Sequence, residues 1–314
     1  MKLKRIILAA LTGVAVPAAV SAVEPAECRE VRIGDGGWLD NAAQNGLVTN
    51  VLGAIGYDPE VSFLALGVIL QSMKDGNLDV FLDSWTPNSD ATLRPYIDAG
   101  AIRNVGTNLE GGRYALAVPS YAFEAGLKDF ADIAKFQEEL DGKIHALEPG
   151  NDSNNILVEM IEQDAFGLGA FTLVEASEQA MLSAVDRAVE QHKPIVFVGW
   201  SPHPMNVRFD MEYLSGGDDW FGPNYGSASV WTGLRPGYAD SCPNALRFFQ
   251  NLRYSIEMLS AVMQTMDEEG KDGEAAAKEW LVANPEVLKD WLDGVTTFDG
   301  QAALPVARAA LLAE

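Results

Sequence analysis

Two rhythms of apolar and polar positions alternate along the chain. Val31-Arg-Ile-Gly34 has the form of a short strand. Leu47, Val48, Val51, Leu52 and Ile55 then recur at helical spacing, predicting a helix over 40–55. A strand follows at 61–66, a helix over 67–75 and a strand at Asp79-Val-Phe-Leu82. The alternation then restarts. Strand patterns at 114–118, 143–147, 171–174 and 194–198 interleave with helical patterns over 153–164 and 178–191. Weaker strand signals stand at 211–214 and 228–233. From Asn244 onward the chain reads as helical, with breaks near Gly270, Pro285 and Gly300. Strands alternating with helices predict βαβ units on a mainly parallel sheet, and the restart predicts two α/β lobes with a helical end.

One weak repetition stands out. Asp79-Val-Phe-Leu-Asp-Ser-Trp-Thr-Pro87 resembles Ile195-Val-Phe-Val-Gly-Trp-Ser-Pro202: an apolar strand leads into Trp-x-Pro. Trp38 likewise follows a strand and the turn Gly34-Asp-Gly-Gly37. Trp38, Trp85 and Trp200 are thus expected just beyond strand C-termini, the edge where open α/β sheets bind ligands. Tryptophan faces attract cations, and several rings together hold quaternary ammonium groups. Asp40 is a candidate acceptor for a ligand hydroxyl, and equally a candidate N-cap for the helix that follows. Glu148-Pro-Gly-Asn-Asp-Ser-Asn-Asn155 follows another strand. Asn151 or Asp152 could reach a ligand there, although turn and cap chemistry explains most such clusters.

The chain has 314 residues, 48% of them hydrophobic, enough for a large core in one to two domains. Lys and Arg total 22 against 45 Asp and Glu, a net charge of −23 that argues against nucleic acid or anionic lipid as partner. The same acidity fits a cationic partner only weakly. Met1-Lys-Leu-Lys-Arg5, the apolar run Ile6 to Val20 and Val20-Ser-Ala22 read as a secretory signal peptide ending at Ala22, and so predict a periplasmic protein. Its loss removes Lys2, Lys4 and Arg5 and takes the charge from −23 to −26. Cys28 and Cys242 in an exported chain suggest one disulfide, with two unpaired buried thiols as the alternative.

Little points to catalysis. His145, His192 and His203 lack metal-ligand spacing. There is no Gly-x-Ser-x-Gly, no P-loop and no Gly-x-Gly-x-x-Gly after a strand. No catalytic residue, metal or cofactor is assigned. An exported two-acid carbohydrate hydrolase stays open, since carboxylates are abundant and tryptophans also line sugar sites. Ser215–Asn224, with Asp218 and Asp219, reads as a structured loop rather than a cation site.

Six segments together carry a resemblance: Gly37-Trp-Leu-Asp40, Trp85-Thr-Pro87, Gly112-Arg-Tyr114, Glu148-Pro-Gly-Asn-Asp152, Gly199-Trp-Ser-Pro-His-Pro-Met205 and Tyr213-Leu-Ser-Gly-Gly-Asp-Asp-Trp-Phe-Gly-Pro-Asn-Tyr225. Over nearly all of the chain beyond residue 22 it resembles the periplasmic substrate-binding proteins of quaternary-amine ABC importers, the glycine betaine/choline class, and above all the choline binders. The resemblance implies a type II-like fold of two α/β lobes joined by two hinge crossovers, one lobe from 23–110 and 232–314, the other from 111–231. It implies an aromatic box of Trp38, Trp85, Tyr114 and Trp200, a polar end of Asp40 and Asn151, and a Cys28–Cys242 disulfide. Tyr114 comes from the resemblance alone. Leu39 departs from the small polar residue usual in such proteins. The implied protein is a monomer, not an enzyme, that hands choline to an inner-membrane permease with its ATPase. Asp40 suits the hydroxyl of choline better than the carboxylate of glycine betaine; glycine betaine and trimethylamine N-oxide are the alternatives. Arg113 should point away from the box if its segment is a strand.

Overall fold

The computed structural model describes residues 24–313. The signal-peptide reading falls outside them. Among the described residues nine strands run in chain order: β1 (Glu30–Asp35), β2 (Asp58–Phe63), β3 (Val80–Thr86), β4 (Arg103–Pro119), β5 (Lys143–Ala146), β6 (Thr172–Glu175), β7 (Phe197–Ser201), β8 (Met211–Tyr213) and β9 (Ser227–Leu234). The helices among them include α1 (Leu39–Ala54), α2 (Leu66–Lys74), α3 (Asp90–Asp98), α4 (Ser120–Glu124), α5 (Asp152–Glu162) and α6 (Glu178–Glu190).

The strands form one sheet in the order β2-β1-β3-β9-β4-β7-β5-β6, with β8 beside β4. Each end is parallel: β2, β1 and β3 on one side, β7, β5 and β6 on the other. The middle is antiparallel, because β9 pairs with β3 and β4, and β4 with β7 and β8. The sheet is therefore mixed, not mainly parallel. Hydropathy reports burial and is blind to strand direction. It also found only residues 114–118 of the 17-residue β4, whose earlier part, Arg103 to Arg113, is polar and glycine-rich and only partly buried. Along this stretch β4 slips register against β9 at three places, the last between Leu109 and Gly112.

Most other elements match to within a few residues. β2 starts three residues earlier than expected and is mostly exposed, because the apolar run at 61–66 ends in the first turn of α2. β3 and β7 extend further than the apolar pattern. Trp85 and Trp200 are thus the penultimate residues of their strands, not residues beyond them, while Trp38 is the N-cap of α1. The pattern stopped at Leu82 because Asp83 and Ser84 are polar, yet both are buried.

The α1 helix carries Leu47, Val48, Val51 and Leu52, all fully buried, and the helix Gly273–Ala283 packs along it. The Cys28–Cys242 disulfide forms, with a sequence separation of 214 residues, and ties the strand-β1 side to the C-terminal helices. Closing so long a loop is worth about 5 kcal/mol in the chain-entropy account.

Candidate functional site

A cavity lies where the two halves of the sheet meet. Trp38, Asp40, Leu66, Asp83, Trp85 and Ser89 line it from the β1–β3 side. Tyr114, Leu147, Asn151, Asp152 and Trp200 line it from the other. All six residues singled out from the sequence, Trp38, Asp40, Trp85, Tyr114, Asn151 and Trp200, meet here. The rings enclose the space at steep angles. Tyr114 and Trp200 stand edge to face with centroids 6.4 Å apart, and Trp85 and Tyr114 are tilted at 5.8 Å. All four aromatic walls are at most 8% exposed.

Local sequence explains the placement. Strand period two puts Asp83 and Trp85 on one face of β3, and the Trp85 indole N–H donates to Asp83 Oδ1 at 3.0 Å. Gln44 of α1 donates to the same oxygen at 2.8 Å. The Trp38 indole N–H donates to Glu148 Oε1 at 3.1 Å. Gly37, at φ +87°, turns the chain so that Trp38 can face inward, and a side chain there would strike the Phe63 ring. Gly226, at φ +73°, lies against the Tyr114 carbonyl with no room for a Cβ. The Tyr114 hydroxyl donates to Asn151 Oδ1 at 3.1 Å and lies 3.3 Å from Asp152 Oδ1.

Several sequence alternatives resolve. Asp40 is the second residue of α1, not its cap, and its Oδ1 is buried without a hydrogen-bond partner. Asn151 does both jobs considered for it: it caps α5 through Ser153 N–H at 3.0 Å and lines the cavity. Arg113 points away, its guanidinium 5.1 Å from the Tyr213 ring centre. Leu39 does not line the cavity, so the departure there leaves the walls unchanged. Asp218–Phe221 forms a short helical turn, and Ser215 before it donates to Asp129 at 2.6 Å.

Sequence reasoning missed Asp83, Ser89, Leu66 and Leu147, and fixed on Asn151 where Asp152 also lines the cavity. For Asp83 there was a signal: a carboxylate inside a buried strand, on the same face as a candidate wall. The expectation of a single acid at the polar end is thereby corrected. Asp40, Asp83 and Asp152 all line the cavity, and among the described residues no Lys, Arg or His does. Asp40 and Asp152 each sit in the first turn of a helix, where the backbone N–H groups favour negative charge.

Burial, and then the charge of Glu178, push the Asp40 carboxyl up to about 7. Burial and the nearby Asp40 push Asp83 well above the usual carboxylate range, and burial raises Asp152. Burial also raises the Tyr114 hydroxyl, which stays neutral. The raised Asp40 gives a sign for stability. A carboxyl that holds its proton more tightly folded than unfolded stabilises the fold fully below pH 4, and that contribution fades as pH rises towards 7. The ligand-free protein is expected to melt at a lower temperature at pH 8 than at pH 5. Asp40→Asn should flatten that slope in calorimetric scans; an unchanged slope would place the titration elsewhere.

Comparison with known proteins identifies the scaffold. Residues 29–283 match the OpuAC family, the substrate-binding domain of the ABC-type glycine betaine transport system. The chain belongs to this family. A chain solved as an ABC-transporter choline-binding protein in complex with choline is 45% identical, with a TM-score of 0.90 over 92% of this chain and 100% of that one. Lactococcal OpuAC with glycine betaine is 26% identical, with a TM-score of 0.76 over 84% of this chain and 99% of that one. The glycine betaine/carnitine transport binding protein GbuC of Listeria monocytogenes is 34% identical over 128 residues, 41% of this chain and 41% of GbuC. This OpuAC member is thus the substrate-binding protein of a glycine betaine/choline ABC transporter, built on the two-lobed α/β fold. Such proteins are periplasmic or extracellular. Among the described residues no helix is long and apolar enough to cross a membrane.

Proposed function

We propose that the protein captures choline in the periplasm and delivers it to the permease and ATPase of an ABC importer. The observation that carries this reading is a cavity walled by four aromatic rings and three carboxylates, with no cationic side chain in its lining. Buried carboxylates without a counter-charge are costly, and a ligand cation supplies one. Trp38, Trp85, Tyr114 and Trp200 hold the trimethylammonium by cation–π attraction. Asp40 accepts the hydroxyl, and the second amide N–H of Asn151 is free to donate to it. The lobes are 23–110 with 232–314, and 111–231. β4 and β9 act as the two crossovers, bending where β4 slips register near Leu109 to Gly112. The choline-bound relative at 45% identity supports the ligand. The hydrolase alternative gains nothing from this fold, whose relatives are transport proteins.

The test compares choline with tetramethylammonium, which has the charge but no hydroxyl. Asp40→Asn is expected to weaken choline binding roughly tenfold, the worth of a hydrogen bond to a charged group. Tetramethylammonium should lose less than threefold (about 0.6 kcal/mol) in the same calorimetric titration. Equal losses would leave Asp40 only a general electrostatic role. Failure of the unmodified protein to bind choline would sink the reading itself.

A further inference from the structure

We propose that Glu178 is a positioning residue: a carboxylate of one lobe that caps the first helix of the other and so holds the lobes closed around the ligand. The inference rests on the two-lobed capture described above. α1 begins at Leu39, and its N-cap, Trp38, provides no side-chain hydrogen bond to the helix. The first N–H groups of a helix have no partner within it. Here the Leu39 N–H donates across the cleft to Glu178 Oε2 at 3.0 Å. A carboxylate at that end also meets the favourable pole of a 16-residue helix.

Glu178 is itself held in place. Its Oε1 lies 3.0 Å from His203 Nε2. His203 Nδ1 accepts the Met205 N–H at 3.0 Å, which puts the ring proton on Nε2, aimed at Glu178. Both side chains are buried, and the His203 ring lies 4.8 Å from that of Trp200. Two more contacts cross the cleft in the same sense. Glu148 accepts from the Trp38 indole, and Asp152 accepts from Ser89 Oγ. In all three, a donor on the β1–β3 side meets a carboxylate on the other. Asp152, however, lines the cavity, and Glu148 holds one of its walls. Glu178 does not line the cavity, so it acts on ligand through Leu39, which sits between Trp38 and Asp40.

Stopped-flow tryptophan fluorescence with choline separates closure from contact. Glu178→Ala is expected to raise the dissociation rate about tenfold, with the association rate changed less than twofold. Glu178→Gln keeps the volume but satisfies only one of the two donors that face it, so it should raise dissociation about threefold (about 0.6 kcal/mol). It also serves if the alanine variant does not fold. Both variants lose the same charge near Asp40, so the difference between them reads the remaining hydrogen bond and the filled volume, not the charge. A residue that only stabilised its own lobe would lower the melting temperature and leave dissociation unchanged. A folded variant with the wild-type dissociation rate overturns the proposal. A wild-type protein that ignores choline overturns the ligand reading instead.

Discussion

Trp200→Ala is expected to weaken choline binding about a hundredfold. A cation held over a desolvated ring gains about 2 kcal/mol or more, and losing the wall adds the cost of rehydrating methyl groups. The site makes this ring hard to replace. It is 3% exposed, stands at a steep angle to Tyr114 and is backed by His203. Trp220 is the matched control. It packs against the core but does not line the cavity, and Trp220→Ala should change affinity less than threefold (about 0.6 kcal/mol). Calorimetric titration of both variants, each checked for a cooperative melt, decides the matter. Equal losses in two folded variants would remove the case for the aromatic box.

Much of this site was legible before any coordinates, and for a definite reason. The Trp-x-Pro repetition after two apolar strands marks two wall tryptophans, and in the fold both segments end at the cavity, each with a cis proline, Pro87 and Pro202. The periodicity predicted the βαβ ends of the sheet, because β1, β3, β5 and β7 bury apolar residues and helices follow them. What stayed hidden was whatever depends on partners distant in sequence. Tyr114 lies in a strand whose first half is polar, so nothing local marks it as a wall, and only the family resemblance pointed to it. Asp83 interrupts an apolar run and reads as its end. Only the fold shows Gln44, 39 residues away, meeting it. Strand direction was lost for the same reason: β9 pairs with β3 and β4 across more than a hundred residues.

Glycine betaine is expected to bind at least a hundredfold more weakly than choline at pH 8. The two share the trimethylammonium, so the aromatic walls do not separate them. The difference lies at the polar end. Asp40 Oδ1 is a buried acceptor without a partner, and its carboxyl is ionised at pH 8. A hydroxyl can donate to such an oxygen; a carboxylate only adds a like charge to it. An unpartnered buried acceptor costs about 1–3 kcal/mol, more when charged, before any repulsion is counted. Nor does a cation wait for the betaine carboxylate: Arg113 is turned towards Tyr213 and Tyr225. The argument also carries a pH signature. A bound cation favours the ionised form of Asp40, so choline affinity should rise as pH climbs through 7, where that group loses its proton. Betaine, opposed by the same charge, should show no such rise, and the gap between the ligands should narrow at pH 6. Betaine binding as tightly as choline at pH 8 would mean that Asp40 is not the hydroxyl acceptor, and that some cationic or N–H partner reaches the cavity when it closes on that ligand.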